Sequence, residues 1–374
     1  MSGGAMAPTA PGGPAAPGAP AAPGAPAAPG ALMRAEIAEQ PARWRDLIPT
    51  QRPAWQAAVD VVRDAAADLV AFVARGSSDH AAIYGQYLVQ RVLALPALLT
   101  TPSVHSVLGV TPAFPLGVQV AISQSGRSPD LIATVRALGL AGLPLVSITN
   151  DASSELAELA DAHLDLAAGP ERSVAATKSY TAELLAIRTL VRAVAGDDLA
   201  ALADEIESLA VEAEGLLDRL AREVVPIAAE HARTDRVVLV GRGGSMATAK
   251  EGALKLMETS GVAASGWSAA DAAHGPLGQV DDTTLVVALT GAAAGRESVA
   301  EFAAAASTRG AGILEVGAGI LPGAAQIETP PGVPDELVPV LEVLPLQVLA
   351  AELSARRGLD PDRPVGLSKV TRTR

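Results

Sequence analysis

Ile122-Ser123-Gln124-Ser125-Gly126-Arg127-Ser128-Pro129-Asp130 decides the reading of this chain. Before it stands Val118-Gln119-Val120-Ala121-Ile122, a β-prone apolar run suited to a buried strand. After it, Leu131-Ile132-Ala133-Thr134-Val135-Arg136-Ala137-Leu138 carries apolar residues at helical spacing. The unit is strand, polar turn, helix. Three serines and a glycine crowd the turn. Hydroxyls beside the unpaired N–H groups of a helix N-terminus suit an anion. The same residues also suit helix capping, with Ser128 or Asp130 as the cap. Spacing alone leaves both open.

Working outward, the pattern repeats. Leu69-Val70-Ala71-Phe72-Val73-Ala74 is strand-like and runs into the polar turn Arg75-Gly76-Ser77-Ser78-Asp79-His80, with a helix expected from Ala81 to Leu93. Leu143 to Thr149 and Ala162 to Leu166 are further strands, and a helix is expected from Ala175 to Ala195. Near the start, Glu36-Ile37-Ala38-Glu39-Gln40-Pro41 predicts a short helix stopped by its proline. A second follows from Trp55 to Ala67, with ordered structure beginning near Met33. Alternating strands and helices predict an α/β fold with parallel sheets flanked by helices, ligands collecting beyond the carboxyl ends of the strands.

An amphipathic segment from Leu199 to Glu223 leads into a second copy. Arg236 to Ser245 repeats the pattern of Leu69 to Ser78, an apolar strand followed by Arg-Gly and serine. Thr284 to Gly291 takes the place of the strand before the serine-rich turn, but ends in Ala292-Ala293-Ala294 without its serines. A closing helix is expected from Leu337 to Arg356. The domains expected are 32–210 and 211–374, after an Ala/Pro/Gly tail, residues 1–31, that reads as disordered. One copy holds an anion and the other supplies other groups.

Composition narrows the function. The 374 residues carry a formal net charge of -13, which argues against nucleic acid and anionic membranes as partners. No cysteine is present, so thiol chemistry is excluded. The uncharged tail has neither the basic start nor the apolar core of a signal peptide, so a cytoplasmic protein is expected. Only four of the 28 cationic residues are lysines: Lys178, Lys250, Lys255 and Lys369. Lysine can form a Schiff base and arginine cannot, which marks these four for attention.

These stretches resemble tandem sugar isomerase (SIS) domain proteins, in particular the isomerase half of glucosamine-6-phosphate synthase and related glucosamine-6-phosphate deaminases. Glu36 to Pro41 resembles the opening helix. Arg75 to Ala81 and Ser123 to Asp130 resemble the sugar-phosphate loops, and Val174-Ala175-Ala176-Thr177-Lys178 a third ligand-facing segment. Glu251 to Glu258 and His274-Gly275-Pro276-Leu277 resemble catalytic stretches, and Leu367-Ser368-Lys369 a C-terminal lysine loop. The resemblance spans residues 33 to 371 and keeps the family order.

It implies that Ser78, Ser123, Gln124, Ser125 and Ser128 hold a phosphate, with Val174, Ala175 and Ser368 beside the substrate. Glu258 would move a proton between C1 and C2 of an opened sugar, tuned by Lys255 one helical turn away. His274, reaching from a neighbouring subunit of a homodimer, would open the pyranose ring. Lys369 would form a Schiff base. His80, at a helix start, is expected to be structural, and Lys178 and Glu171 are expected to line the pocket without assigned roles. The substrate implied is a phosphorylated amino sugar, with no metal or organic cofactor. Glucosamine 6-phosphate would give fructose 6-phosphate and ammonia. The residues before His274, Asp271-Ala272-Ala273, depart from the synthase pattern. Dehydration of an N-acetylated sugar phosphate and aldose–ketose isomerisation therefore remain alternatives, as does a non-catalytic sugar-phosphate sensor. Without cysteine, and with no glutaminase half in the sequence, synthesis from glutamine is not expected.

Overall fold

A computed structural model of the chain describes residues 28–113 and 116–369. Two five-stranded sheets organise them, with every strand pairing parallel. The first contains β1 (Val70–Val73), β2 (Ala97–Leu99), β3 (Val118–Ser123), β4 (Leu145–Thr149) and β5 (Ala162–Asp165), ordered β2-β1-β3-β4-β5. The second contains β6 (Arg236–Gly241), β7 (Ala263–Ser268), β8 (Thr284–Leu289), β9 (Gly312–Gly317) and β10 (Ala325–Glu328), ordered β7-β6-β8-β9-β10. The two orders correspond strand for strand, so the sequence repeat is a repeat of topology. In each sheet the order reverses between the first strand and the third, the place beyond the strand ends where such sheets form a crevice.

The helices of the first half are α1 (Ala31–Asp46), α2 (Arg52–Asp64), α3 (Ser77–Leu88), α4 (Pro102–Ser106), α5 (Pro129–Leu140), α6 (Glu155–Glu158) and α7 (Lys178–Ala195). α8 (Leu199–Glu230) crosses residues 210 and 211 without a break. α9 (Ser245–Ser260), α10 (Ala269–Ala272), α11 (Arg296–Ser307) and α12 (Val338–Arg356) complete the second half.

Side-chain alternation along the strands divides the core. Val118, Val120 and Ile122 of β3, with Val237 and Leu239 of β6, face one large cluster that both halves share. Ala121 of β3 faces a smaller cluster under α5, and Val238 and Val240 of β6 one under α10 and α11. α12 is apolar and long enough to cross a membrane by length and composition, but most of it lies inside the protein against α8 and α9. It also encloses Glu342 and Gln347, as a core helix does.

Several boundaries differ from expectation. α1 runs through Pro41 to Asp46 instead of stopping there. Proline removes the N–H that would reach the carbonyl of Ile37. Gln40 Nε2 takes that carbonyl instead, at 3.0 Å, so the helix continues. α1 also starts at Ala31, where Leu32 N and Met33 N donate to Asp362 at 2.9 and 2.8 Å. α8 continues through Pro226 to Glu230. α3 begins earlier than expected, at Ser77, and ends at Leu88 before a π-turn over Val89–Leu93. α7 begins at Lys178, leaving Val174 and Ala175 in the preceding loop. The expectations for residues 1–27 and 370–374 lie outside the described residues.

Candidate active site

Two turns bracket the crevice of the first sheet. After β1, Gly76 takes a left-handed φ of 59° and turns the chain into α3, so Ser77 and Ser78 sit in its first turn. After β3, Gly126 has φ 61°, and a methyl group there would overlap Ser154 Oγ. Gly126 N donates to Ser123 Oγ at 3.1 Å, which fixes the turn. Ser128 occupies the N-cap position of α5, yet its side chain makes no capping bond, so its hydroxyl is not consumed by the helix. Arg75 Nε donates to the buried Asp130 Oδ2 at 2.9 Å and ties one turn to the other.

A cavity of about 330 Å³ opens between them. Ser78, Ser123, Gln124, Ser125 and Ser128 line one side, with Val174 beside them; Glu258, Ser368 and Lys369 come from the second half. Most of the residues named from sequence therefore meet in one cavity. Three do not. Ala175 is fully buried behind the wall, where Ala176 and Ser179 face the cavity in its place. Lys255 is fully buried beneath it. His274, after α10, is exposed and lies outside the cavity of this chain.

The base of the cavity is an ion-pair cluster on α9. Three- and four-residue spacing stacks Glu251, Lys255 and Glu258 on one face. Lys255 Nζ lies 2.7 Å from Glu258 Oε2 and 3.2 Å from Glu251 Oε1. Burial disfavours its charge, but Glu251 and Glu258 hold it above the ordinary lysine range, so it stays an ammonium. Burial likewise pushes Glu251 up, and Lys255, His80 and Ser77 outweigh it, leaving the carboxyl below its usual range. Ser77 Oγ donates to Glu251 at 2.8 Å, and His80 Nδ1 lies 2.8 Å from the same carboxylate. His80 thus joins α3 to α9, the structural place expected for it. The cluster locks the serine-bearing helix of one half to the carboxylate-bearing helix of the other.

Lys369 closes one edge, with Nζ 2.7 Å from Glu171 Oε2. Burial pushes Glu171 up, but Lys369 and the N–H groups of Thr177 and Ser179 bring it below the usual carboxylate range. Glu171 therefore caps the start of α7 and anchors the lysine. Lys178 is buried on Glu39 at 2.8 Å and does not line the cavity.

Sequence reading missed Glu183, a buried carboxyl at the cavity wall whose Oε1 is hydrogen-bonded to Ser78 Oγ at 2.8 Å. Its signal was a lone acid within the apolar run Tyr180-Thr181-Ala182-Glu183-Leu184-Leu185. The corresponding turn of the second half is already occupied. Gly291 N donates to Glu342 Oε1 at 2.9 Å, and Ala293 N and Ala294 N donate to Asp335 at 2.9 and 3.2 Å. The protein's own carboxylates consume the donors of that turn.

The family model of the SIS domain matches residues 65–193 and 231–355. The chain belongs to the SIS domain family. Its two matches contain the two sheets. This SIS chain is 34% identical over 355 residues to the glutamine–fructose-6-phosphate aminotransferase (isomerizing) of Gloeobacter violaceus, covering 90% of the chain and 58% of that protein. It thus spans little more than half the length of this curated relative. A solved structure from Silicibacter pomeroyi, provisionally described as a phosphosugar isomerase, superposes with a TM-score of 0.79 at 31% identity, covering 88% of this chain and 99% of that one. The glucosamine-6-phosphate deaminase of Thermotoga maritima shares the fold, with a TM-score of 0.74 at 22% identity over 92% of this chain and 100% of that one.

Proposed function

We propose that this SIS protein is a cytoplasmic enzyme that converts glucosamine 6-phosphate and water to fructose 6-phosphate and ammonia. The observation that carries the reading is one cavity holding both serine turns and Glu258, roofed by Lys369. Ser78, Ser123, Gln124, Ser125 and Ser128 hold the phosphate with hydroxyl, amide and turn N–H donors, which requires no cation. Glu258, seated on the Lys255 ammonium, removes the C2 proton of the open-chain sugar. Returning the proton to C1 gives the C2 imine, and water then releases ammonia. His274 is exposed and outside the cavity of its own chain, so ring opening falls to His274 of a second copy in a homodimer.

One observation favours a second reading. Lys369 Nζ is committed to an ion pair with Glu171 at 2.7 Å, where a Schiff base would need that nitrogen for the sugar. Plain aldose–ketose isomerisation needs the phosphate site and Glu258 but no Schiff base.

Product analysis by NMR separates the readings, with glucosamine 6-phosphate, N-acetylglucosamine 6-phosphate and glucose 6-phosphate supplied in turn. Ammonium and fructose 6-phosphate from the first are expected. A ketose from the third alone supports isomerisation, and an unsaturated product from the second would replace the reaction. Binding without turnover of any would make the protein a sensor.

A further inference from the structure

Ser78 Oγ and Glu183 Oε1 lie 2.8 Å apart, with Glu183 buried at the cavity wall. The other carboxyl oxygen, Oε2, is buried and has no hydrogen-bond partner among the described residues. A serine hydroxyl has one proton. If Glu183 is ionised, that proton is spent on it, and Ser78 presents only lone pairs to the cavity. A phosphate dianion, itself acceptor-only, would then meet lone pairs backed by a negative charge. If Glu183 carries a proton on Oε1, the oxygen with a partner, Oε1–H donates to Ser78 Oγ and the serine proton is free to point at the phosphate.

We propose that Glu183 is a positioning residue that, as a neutral acid, turns the Ser78 hydroxyl toward a bound phosphate, so that anion affinity falls when Glu183 ionises. This rests on the reading of the cavity as a sugar-phosphate site and adds a proton to its binding equilibrium. The surroundings agree. An ionised carboxylate with one buried oxygen unpaired is costly, and a neutral acid much less so. Groups facing Glu183 include Tyr180 on its own helix, Glu171 on the loop before it, and Glu251 and Lys255 on α9. Burial first, then Glu171 and Glu251, drive its carboxyl well above the usual range, against the lowering effects of Ser78 and Lys255.

The test uses sulfate, which remains a dianion across the range, titrated calorimetrically into the full-length protein from pH 6 to pH 10. Wild type is compared with Glu183→Gln, whose amide donates to Ser78 at every pH, and with each of these in a Ser78→Ala background. The expected result is that wild type and Glu183→Gln bind within about threefold at pH 6. Wild type then falls behind by up to about tenfold per pH unit as the acid ionises. That gap should close in the Ser78→Ala background. Parallel curves for wild type and Glu183→Gln, or a gap undiminished without Ser78, would overturn the role of Glu183 while leaving the anion site standing. Absence of sulfate binding in every protein at every pH would overturn the anion site itself, and this inference with it.

Discussion

At the residue scale, buried charges divide into those that are paired and those that are not. Lys255 is paired twice and enclosed, so removing it strands Glu251 beneath the cavity. Lys255→Met should cost about 3–5 kcal/mol in urea unfolding at neutral pH; a loss within 1 kcal/mol, on the order of a surface pair, would contradict the cluster. Glu342 is the opposite case. Burial, ahead of the lowering effects of Ser245 and Gly291, pushes it up to about 7 from an ordinary 4.5. A folded-state value raised this way means that its contribution is fully present below about pH 4.5 and is lost as pH rises through about 7. Glu342→Gln, which cannot ionise and still accepts from Gly291, should be more stable than wild type at pH 8 by up to about 3 kcal/mol and close to it at pH 4. Denaturant titrations at the two pH values check the sign, and equal differences at both would contradict it.

At the element scale, the two serine turns owe their shape to single residues. Gly126 combines φ 61° with a Cβ position already filled by Ser154 Oγ. Gly126→Ala should weaken inorganic phosphate binding at least about tenfold, because the left-handed conformation alone costs 1–2 kcal/mol; unchanged affinity by calorimetry would remove this turn from the phosphate site. Strand–turn–helix units such as 118–138 were legible because the apolar run, the glycine and the helical spacing each mark one part. Of the four edge strands, β5 was legible and β2, β7 and β10 were not. β7 is Ala263-Ala264-Ser265-Gly266-Trp267-Ser268, small and half-exposed, and only its pairing with β6 makes it a strand. Pro41 was misleading because its cost is offset locally by Gln40, a compensation no propensity rule contains. Ala175 and Ala176 could not be ranked by sequence, since a shift of one residue in a loop decides which faces the cavity.

At the scale of the whole molecule, the halves act as a unit. A shared central core and the Ser77–Glu251 and His80–Glu251 contacts fix the serine turns relative to Glu258. The duplicated sequence made the two halves legible, but could not show that Asp335 and Glu342 fill the turn of the second copy. This chain's His274 is exposed and outside the cavity, and the proposal takes that residue from a second chain. Mixing Glu258→Gln with His274→Asn subunits should restore about a quarter of wild-type activity, since half the dimers are mixed and each has one intact site. No restoration after verified subunit exchange would place ring opening within one chain.

The most direct measurement follows deuterium at C2 of glucosamine 6-phosphate by NMR, in wild type and in Glu258→Gln. Wild type should release the label to water or pass it to C1. Glu258→Gln should retain it, with turnover reduced about 10²–10⁴-fold and phosphate affinity preserved. Loss of the C2 label at the wild-type rate in Glu258→Gln would contradict the assignment of this cavity and its carboxylate as the catalytic centre.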